Sequence, residues 1–224
     1  MNFSEAEENY IKAIWRLQQQ DKKVSTNALA TALQTKPASV TDMLKRLAEK
    51  KLIDYLPYYG VTLNAEGRRL ALRIVRRHRL WEYFLAEKLG FSWEAVHAIA
   101  EELEHVSSPE LIDRLDAYLG HPQTDPHGDP IPDAAGNMKP ATHIRLSQLD
   151  LRTPAVVSGV GDQRSSLLEL LQQKQISIGT TLEITRRFEW DGSAELLLNR
   201  KQRVEVTEQL LHMIHVTPLT DAAT

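Results

Sequence analysis

Six side chains able to bind a divalent cation stand on two neighbouring stretches of the chain: His78 and Glu82 in RRHRLWEYFL, then His97, Glu101, Glu104 and His105 in VHAIAEELEHVS. A helix turns by about 100° per residue, so with His97 at the origin Glu101 falls at about 40°, Glu104 at about −20° and His105 at about 80°. All four would project from one narrow face, while His78 and Glu82 share a face of the preceding helix at i, i+4 spacing. Imidazole nitrogens and carboxylate oxygens converging on a point form a divalent-metal site, and Mn²⁺, Fe²⁺ and Zn²⁺ all accept that mixture. The chain contains no cysteine, so thiolate ligation and disulfides are both excluded.

The elements that must position these groups can be read from caps and periodicity. A first helix is expected from Ser4, with Glu7 in the capping-box position and Tyr10, Ile11, Ile14, Trp15 and Leu17 at helical spacing. A second opens at Ser25, and a third at Pro37, with Val40, Leu44 and Leu47 facing inward. The run LIDYLPYYGVTLN reads as a hairpin around Pro57 to Gly60. Helix, helix–turn–helix and hairpin in that order predict a winged helix-turn-helix over residues 1–64, whose third helix enters the major groove of DNA. Lys36, Ser39, Thr41 and Asp42 lie near the start of that helix, where base edges are reached. Lys45, Arg46 and the wing residue Tyr59 are expected to hold phosphates.

A helical domain is expected over 65–120, with helices from Ala65 to about Lys88, Ser92 to about Val106 and Ser108 to Leu119. Leu80, Trp81, Phe84, Leu85, Val96, Ile99, Leu103, Leu111, Ile112 and Leu115 exceed what three helices bury among themselves, which predicts a self-paired interface and a homodimer. Residues 121–141 hold five of the chain's ten prolines and read as a semi-rigid linker. From 142 to 224, period-2 alternation in HIRLSQLDL, PAVVSGV, TLEITRRF, AELLLN and RVEV predicts a small β-barrel. The fold class is therefore mainly α with a small β part.

The formal net charge of −3 conceals a polarity. Lys36 to Arg79 carries eleven Lys/Arg against four Asp/Glu, a net of +7, whereas Leu80 to Gly136 carries two against twelve, a net of −10. A polyanion-binding surface beside a cation-binding one suits that pattern. No apolar run is long enough to cross a membrane, and the acidic, polar start MNFSEAEENY is unlike a secretory signal, so a cytoplasmic location is expected.

RRHRLWE, the HxxxExxEH run from His97 to His105, and HGDPIP from His127 to Pro132 together resemble the diphtheria toxin repressor and manganese transport regulator family of metal-dependent repressors. The resemblance covers nearly the whole chain and implies an SH3-like C-terminal domain, a homodimer and a palindromic DNA operator. It implies DNA affinity that depends on bound Mn²⁺ or Fe²⁺, with repression of metal-uptake genes. By motif, His78, Glu82, His97, Glu101, Glu104 and His105 match family ligands. At Glu101 iron-type members carry cysteine and manganese-type members glutamate, the harder ligand, so Mn²⁺ is favoured over Fe²⁺, with Zn²⁺ a further alternative.

The chain departs from the family pattern on its first helix, where Asn9 stands at a ligand position and Lys12 where some manganese-type members have a second acid. Asp162 and Gln163 are the nearest matches to ligands that some members recruit from the SH3-like domain. His127 matches a family feature in the proline-rich stretch and is assigned no ligand role. The rival reading is a winged-helix regulator that ignores metal. A metal hydrolase is disfavoured, since HExxH, GxSxG and a Gly-rich phosphate loop are all missing from the sequence.

Overall fold

The computed structural model describes residues 3–19, 21–106, 108–139, 143–161 and 164–219. The chain packs as two units, one of Met1–His78, Glu101–Tyr118 and Pro132–Met138, the other of Arg79–Ala100, Leu119–Ile131 and Lys139–Thr224.

The first unit begins with α1 (Glu5–Gln18), α2 (Thr26–Ala32) and α3 (Pro37–Glu49). Each start is fixed locally. The Ser4 hydroxyl accepts the Glu7 N–H at 3.3 Å while the Glu7 carboxylate accepts the Ser4 N–H at 3.0 Å. Ser25 Oγ accepts the Ala28 N–H, and Pro37 is the first residue of α3. The hairpin pairs β1 (Ile53–Leu56) with β2 (Gly60–Leu63) in the register Ile53↔Leu63 to Leu56↔Gly60. Ile11, Ile14, Leu29, Val40, Leu44, Leu47, Val61 and Ile74 are among the residues that close one core, the inward face expected of α3 included. Asn64 then caps α4 (Ala65–Leu89), its Oδ1 accepting the Gly67 N–H at 3.0 Å. A Cβ on Gly67 would lie 2.0 Å from the Leu52 carbonyl oxygen, so glycine is what lets α4 start against the hairpin.

Helix α5 spans Trp93–Leu103 and α6 Pro109–Tyr118. The first of these ends two residues short of the run that would carry all four candidate ligands, so Glu104 and His105 sit on the turn after it and not on its face. Helix α6 opens with Pro109 and has the Leu111 N–H directed at Ser108 Oγ.

The second unit holds β3 (Ile144–Arg145), β4 (Ala155–Val160), α7 (Ser165–Gln173), β5 (Thr181–Arg187), β6 (Ala194–Leu198), β7 (Gln202–Val206), α8 (Glu208–Met213) and β8 (Ile214–Pro218). The sheet is antiparallel in the order β3-β8-β4-β5-β6-β7. Alternate residues of β6 (Ala194, Leu196, Leu198) are buried against Val157, Ile184, Leu168, Leu171, Leu211 and Ile214, as period 2 requires. The expected barrel is corrected in one respect. Among the described residues β3 and β7 stand at opposite ends and do not pair, so the SH3-like sheet is open. A first strand of two residues offers too little ladder to close it.

The stretch expected as a linker is tightly folded where it enters this unit. Asp125 Oδ1 accepts the backbone N–H groups of His127 and Asp129 at 2.8 and 2.9 Å. Val160 N–H in turn donates to the His127 carbonyl at 3.1 Å. Gly128 has φ +86° and an added Cβ would fall 1.8 Å from the Ser158 carbonyl oxygen, so only glycine allows the loop to lie on β4.

Candidate metal centre and nucleic-acid face

On α4, His78 and Glu82 are one helical turn apart, as their spacing requires. Glu82 is fully buried within the second unit, with His97 Nδ1 3.0 Å from its Oε1 and His127 Nδ1 3.8 Å from its Oε2. Glu82, Asp125 and His127, all buried, each offer one ligand atom within 4.8 Å of the others. Asp125 uses Oδ1 to shape its loop. Its buried Oδ2 accepts no hydrogen bond and lies 3.5 Å from Arg79 Nε. Arg79 also reaches Asp129 at 3.3 Å.

Burial is the main force pushing the Asp125 carboxyl up to about 7, helped by the charges of Asp129 and Glu82 and opposed by Arg79 and His127. A buried carboxylate held near neutrality beside a second carboxylate and imidazoles has a donor set that a divalent cation fits. Asp125 and His127 were not in the expected ligand set. The signal for them was DPHGD, two acids and a histidine within five residues, which the surrounding prolines made look like spacer.

A second cluster forms in the first unit. Glu104 is fully buried, with Lys12 Nζ at 2.6 Å and His78 Nδ1 at 2.6 Å. Burial by itself would raise the Glu104 carboxyl, but the His78 hydrogen bond and the Lys12 charge outweigh it and hold it below the usual carboxylate range. Glu101, about half exposed, lies 3.5 Å from the same ammonium. His105 Nδ1 is 2.9 Å from Glu8, which also accepts from Arg77 at 2.8 Å. From α1, Lys12 and Glu8 reach Glu104 and His105, and Asn9 is half-buried on the same helix. Asp162 and Gln163 lie outside the described residues.

Most of the side chains expected to meet DNA are exposed. Lys36, Ser39, Asp42, Lys45 and Arg46 are exposed on or beside α3. Thr41 is half-buried, its hydroxyl donating to the Pro37 carbonyl at 3.0 Å. Asp42 and Lys45 lie 3.8 Å apart, so the acid is partly neutralised by its neighbour on the next turn. Tyr59 stands 72% exposed at the wing tip beside Tyr58, which takes φ 69°.

A winged helix and a buried histidine–carboxylate cluster in one chain are the parts of a DNA-binding regulator governed by a metal ion. Comparison with known proteins gives that class its family. Residues 2–61 match the iron-dependent repressor N-terminal DNA-binding domain, and residues 64–133 match the iron-dependent repressor metal-binding and dimerisation domain. The HTH-type transcriptional regulator MntR of Oceanobacillus iheyensis is 36% identical over 108 residues, covering 48% of this chain and 73% of that protein. The iron-dependent repressor IdeR of Mycobacterium leprae is 26% identical over 219 residues, covering 93% and 95%. A manganese-dependent transcriptional repressor solved in complex with manganese superposes with a TM-score of 0.85 at 36% identity, covering 95% of this chain and 100% of that one.

The chain belongs to the iron-dependent repressor family of metal-dependent transcriptional repressors, and is a regulator, not an enzyme. It carries the family's DNA-binding and dimerisation domains, and no helix is long and apolar enough to cross a membrane.

Proposed function

We propose that this chain is a cytoplasmic, Mn²⁺-responsive repressor of metal-uptake genes that binds a palindromic operator as a homodimer. The observation that carries the metal part is the buried group of Glu82, Asp125 and His127, with Asp125 Oδ2 accepting no hydrogen bond. Glu82, Asp125, His127 and His97 would hold the ion. Two carboxylates and no thiolate favour Mn²⁺, then Fe²⁺, while Zn²⁺ accepts the same atoms and stands higher in the general affinity order. When bound, a divalent cation supplies the positive charge that two buried carboxylates require. Asp125 fixes the loop through Oδ1, Arg79 restrains Asp129, and His127 backs the loop against β4.

Helix α4 starts at the end of the wing and carries Glu82 about five turns on, so ordering of the cluster acts on the element that leaves the DNA-binding domain. In a dimer, the competent state sets two copies of α3 roughly 34–36 Å apart, one turn of duplex, or a multiple of that. Moving such an equilibrium from 1:99 to 99:1 takes about 5.5 kcal/mol of differential binding. Structural metal sites supply about 10 kcal/mol or more. The base-edge contacts are assigned to Lys36, Ser39, Thr41 and Asp42, and the phosphate contacts to Lys45, Arg46 and Tyr59.

Fluorescence anisotropy on the chain's own upstream DNA, at one salt concentration, tests the reading with chelator, Mn²⁺, anaerobic Fe²⁺ and Zn²⁺. Mn²⁺ is expected to tighten binding about tenfold or more, with the gain lost in Glu82→Gln and His127→Ala. Equal binding in chelator and in every metal would overturn it.

A further inference from the structure

The Glu104 carboxylate is fully enclosed, and both of its oxygens are engaged. Lys12 Nζ donates to Oε1 at 2.6 Å and to Oε2 at 2.8 Å, and His78 Nδ1 lies 2.6 Å from Oε2. The same ammonium is 3.5 Å from Glu101 Oε1, and the Lys12 side chain is only 20% exposed. Lys12 and Glu104 are 92 residues apart in sequence, so α1 and the turn after α5 are joined here through a charge pair. Two carboxylates with a histidine beside them make a donor set for a divalent cation, and at this point of the fold the atom between the carboxylates is a lysine nitrogen.

We infer that the Lys12 ammonium is the resident cation of the Glu101–Glu104 pair and takes the place of a divalent ion there. A metal bound to either Glu104 oxygen would stand within a few ångströms of a like charge that has its own hydrogen bonds to the same carboxylate. The flexible stem of lysine delivers one charge and three donors from α1, which suffices to satisfy a buried carboxylate without metal. The cluster is therefore closed to Mn²⁺, α1 is tied to the end of α5 with or without metal, and the metal response falls to the Glu82 cluster. This last consequence rests on the metal-dependent reading above, whereas the closure of the Glu104 cluster does not.

The test counts Mn²⁺ bound to the full chain by equilibrium dialysis with elemental analysis, and follows melting in chelator and in Mn²⁺. Lys12→Gln is expected to bind about one more Mn²⁺ per chain than the wild type. The added equivalent should disappear in the Lys12→Gln/Glu104→Gln double variant, and Lys12→Arg should match the wild type. Lys12→Gln should also melt lower in chelator, with Mn²⁺ raising its Tm more than it raises that of the wild type. Should Lys12→Gln be unfolded in chelator, Mn²⁺ must refold it, and failure to do so counts against the inference. Equal stoichiometry in wild type and Lys12→Gln overturns it. A wild type that takes up no Mn²⁺ would sink the metal-dependent reading alone, because the difference between the two chains would still report on Lys12.

Discussion

Asp125 shows how one side chain can couple acidity to stability. In the metal-free protein its carboxyl, pushed up to about 7 chiefly by burial, keeps its proton at pH values where the unfolded chain, near the ordinary 3.8, has lost it. The folded state then binds more protons than the unfolded state between those values, so stability falls as pH rises from about 4 to 7. Urea midpoints in chelator at pH 5 and pH 7.5 should differ in that direction, by an amount on the order of 1–4 kcal/mol in unfolding free energy. Asp125→Asn should remove the difference contributed by this group. A midpoint that rises with pH in the wild type and is unmoved by Asp125→Asn would show that the carboxyl titrates normally.

This residue also marks a limit of what the sequence discloses. Glu82 and His97 stand out by spacing alone, because helical geometry is local. Asp125 and His127 acquire their chemistry from the approach of a loop to β4, through Gly128 and the Ser158 carbonyl, a contact between segments some thirty residues apart.

At the scale of elements, caps were the most legible features. Ser4 with Glu7, Ser25 and Pro37 each mark a helix start where the structure has one, since each acts on backbone groups within three residues. Helix ends were less legible: the periodicity of VHAIAEELEHVS continues past Leu103, but the helix stops there, and Glu104 turns inward to Lys12. For α3 the sorting of contacts has a direct test. Lys45, exposed and paired only with Asp42 among its described ion pairs, should on change to Ala weaken all DNA sequences alike and lower the salt slope by about 1. Ser39→Ala should instead alter sequence preference. A base-specific effect of Lys45→Ala in competition binding would reverse the assignment.

For the whole molecule the question is which apolar surface is meant for a second copy. Leu89, Phe91, Val106, Leu111 and Tyr118, all within the region matched to the dimerisation domain, are exposed in the single chain. Replacing Leu111 by Glu should cost dimerisation, because a charge would have to be desolvated in the interface. Sedimentation velocity should show a shift to monomer at micromolar concentration, with the melting of the chain little changed. A variant that sediments as the wild type would place the interface elsewhere.

The open sheet has its own consequence, and it concerns crowds of molecules instead of one. β7 carries backbone donors and acceptors that no neighbouring strand takes up among the described residues, which is a template on which a stranger's strand can grow. Arg203 and Glu205 stand exposed on that strand, Arg203 held by Glu195 at 2.8 Å, so a strand arriving there must bury charge before it gains a ladder. Those charges make the β7 edge poor ground for polymerisation.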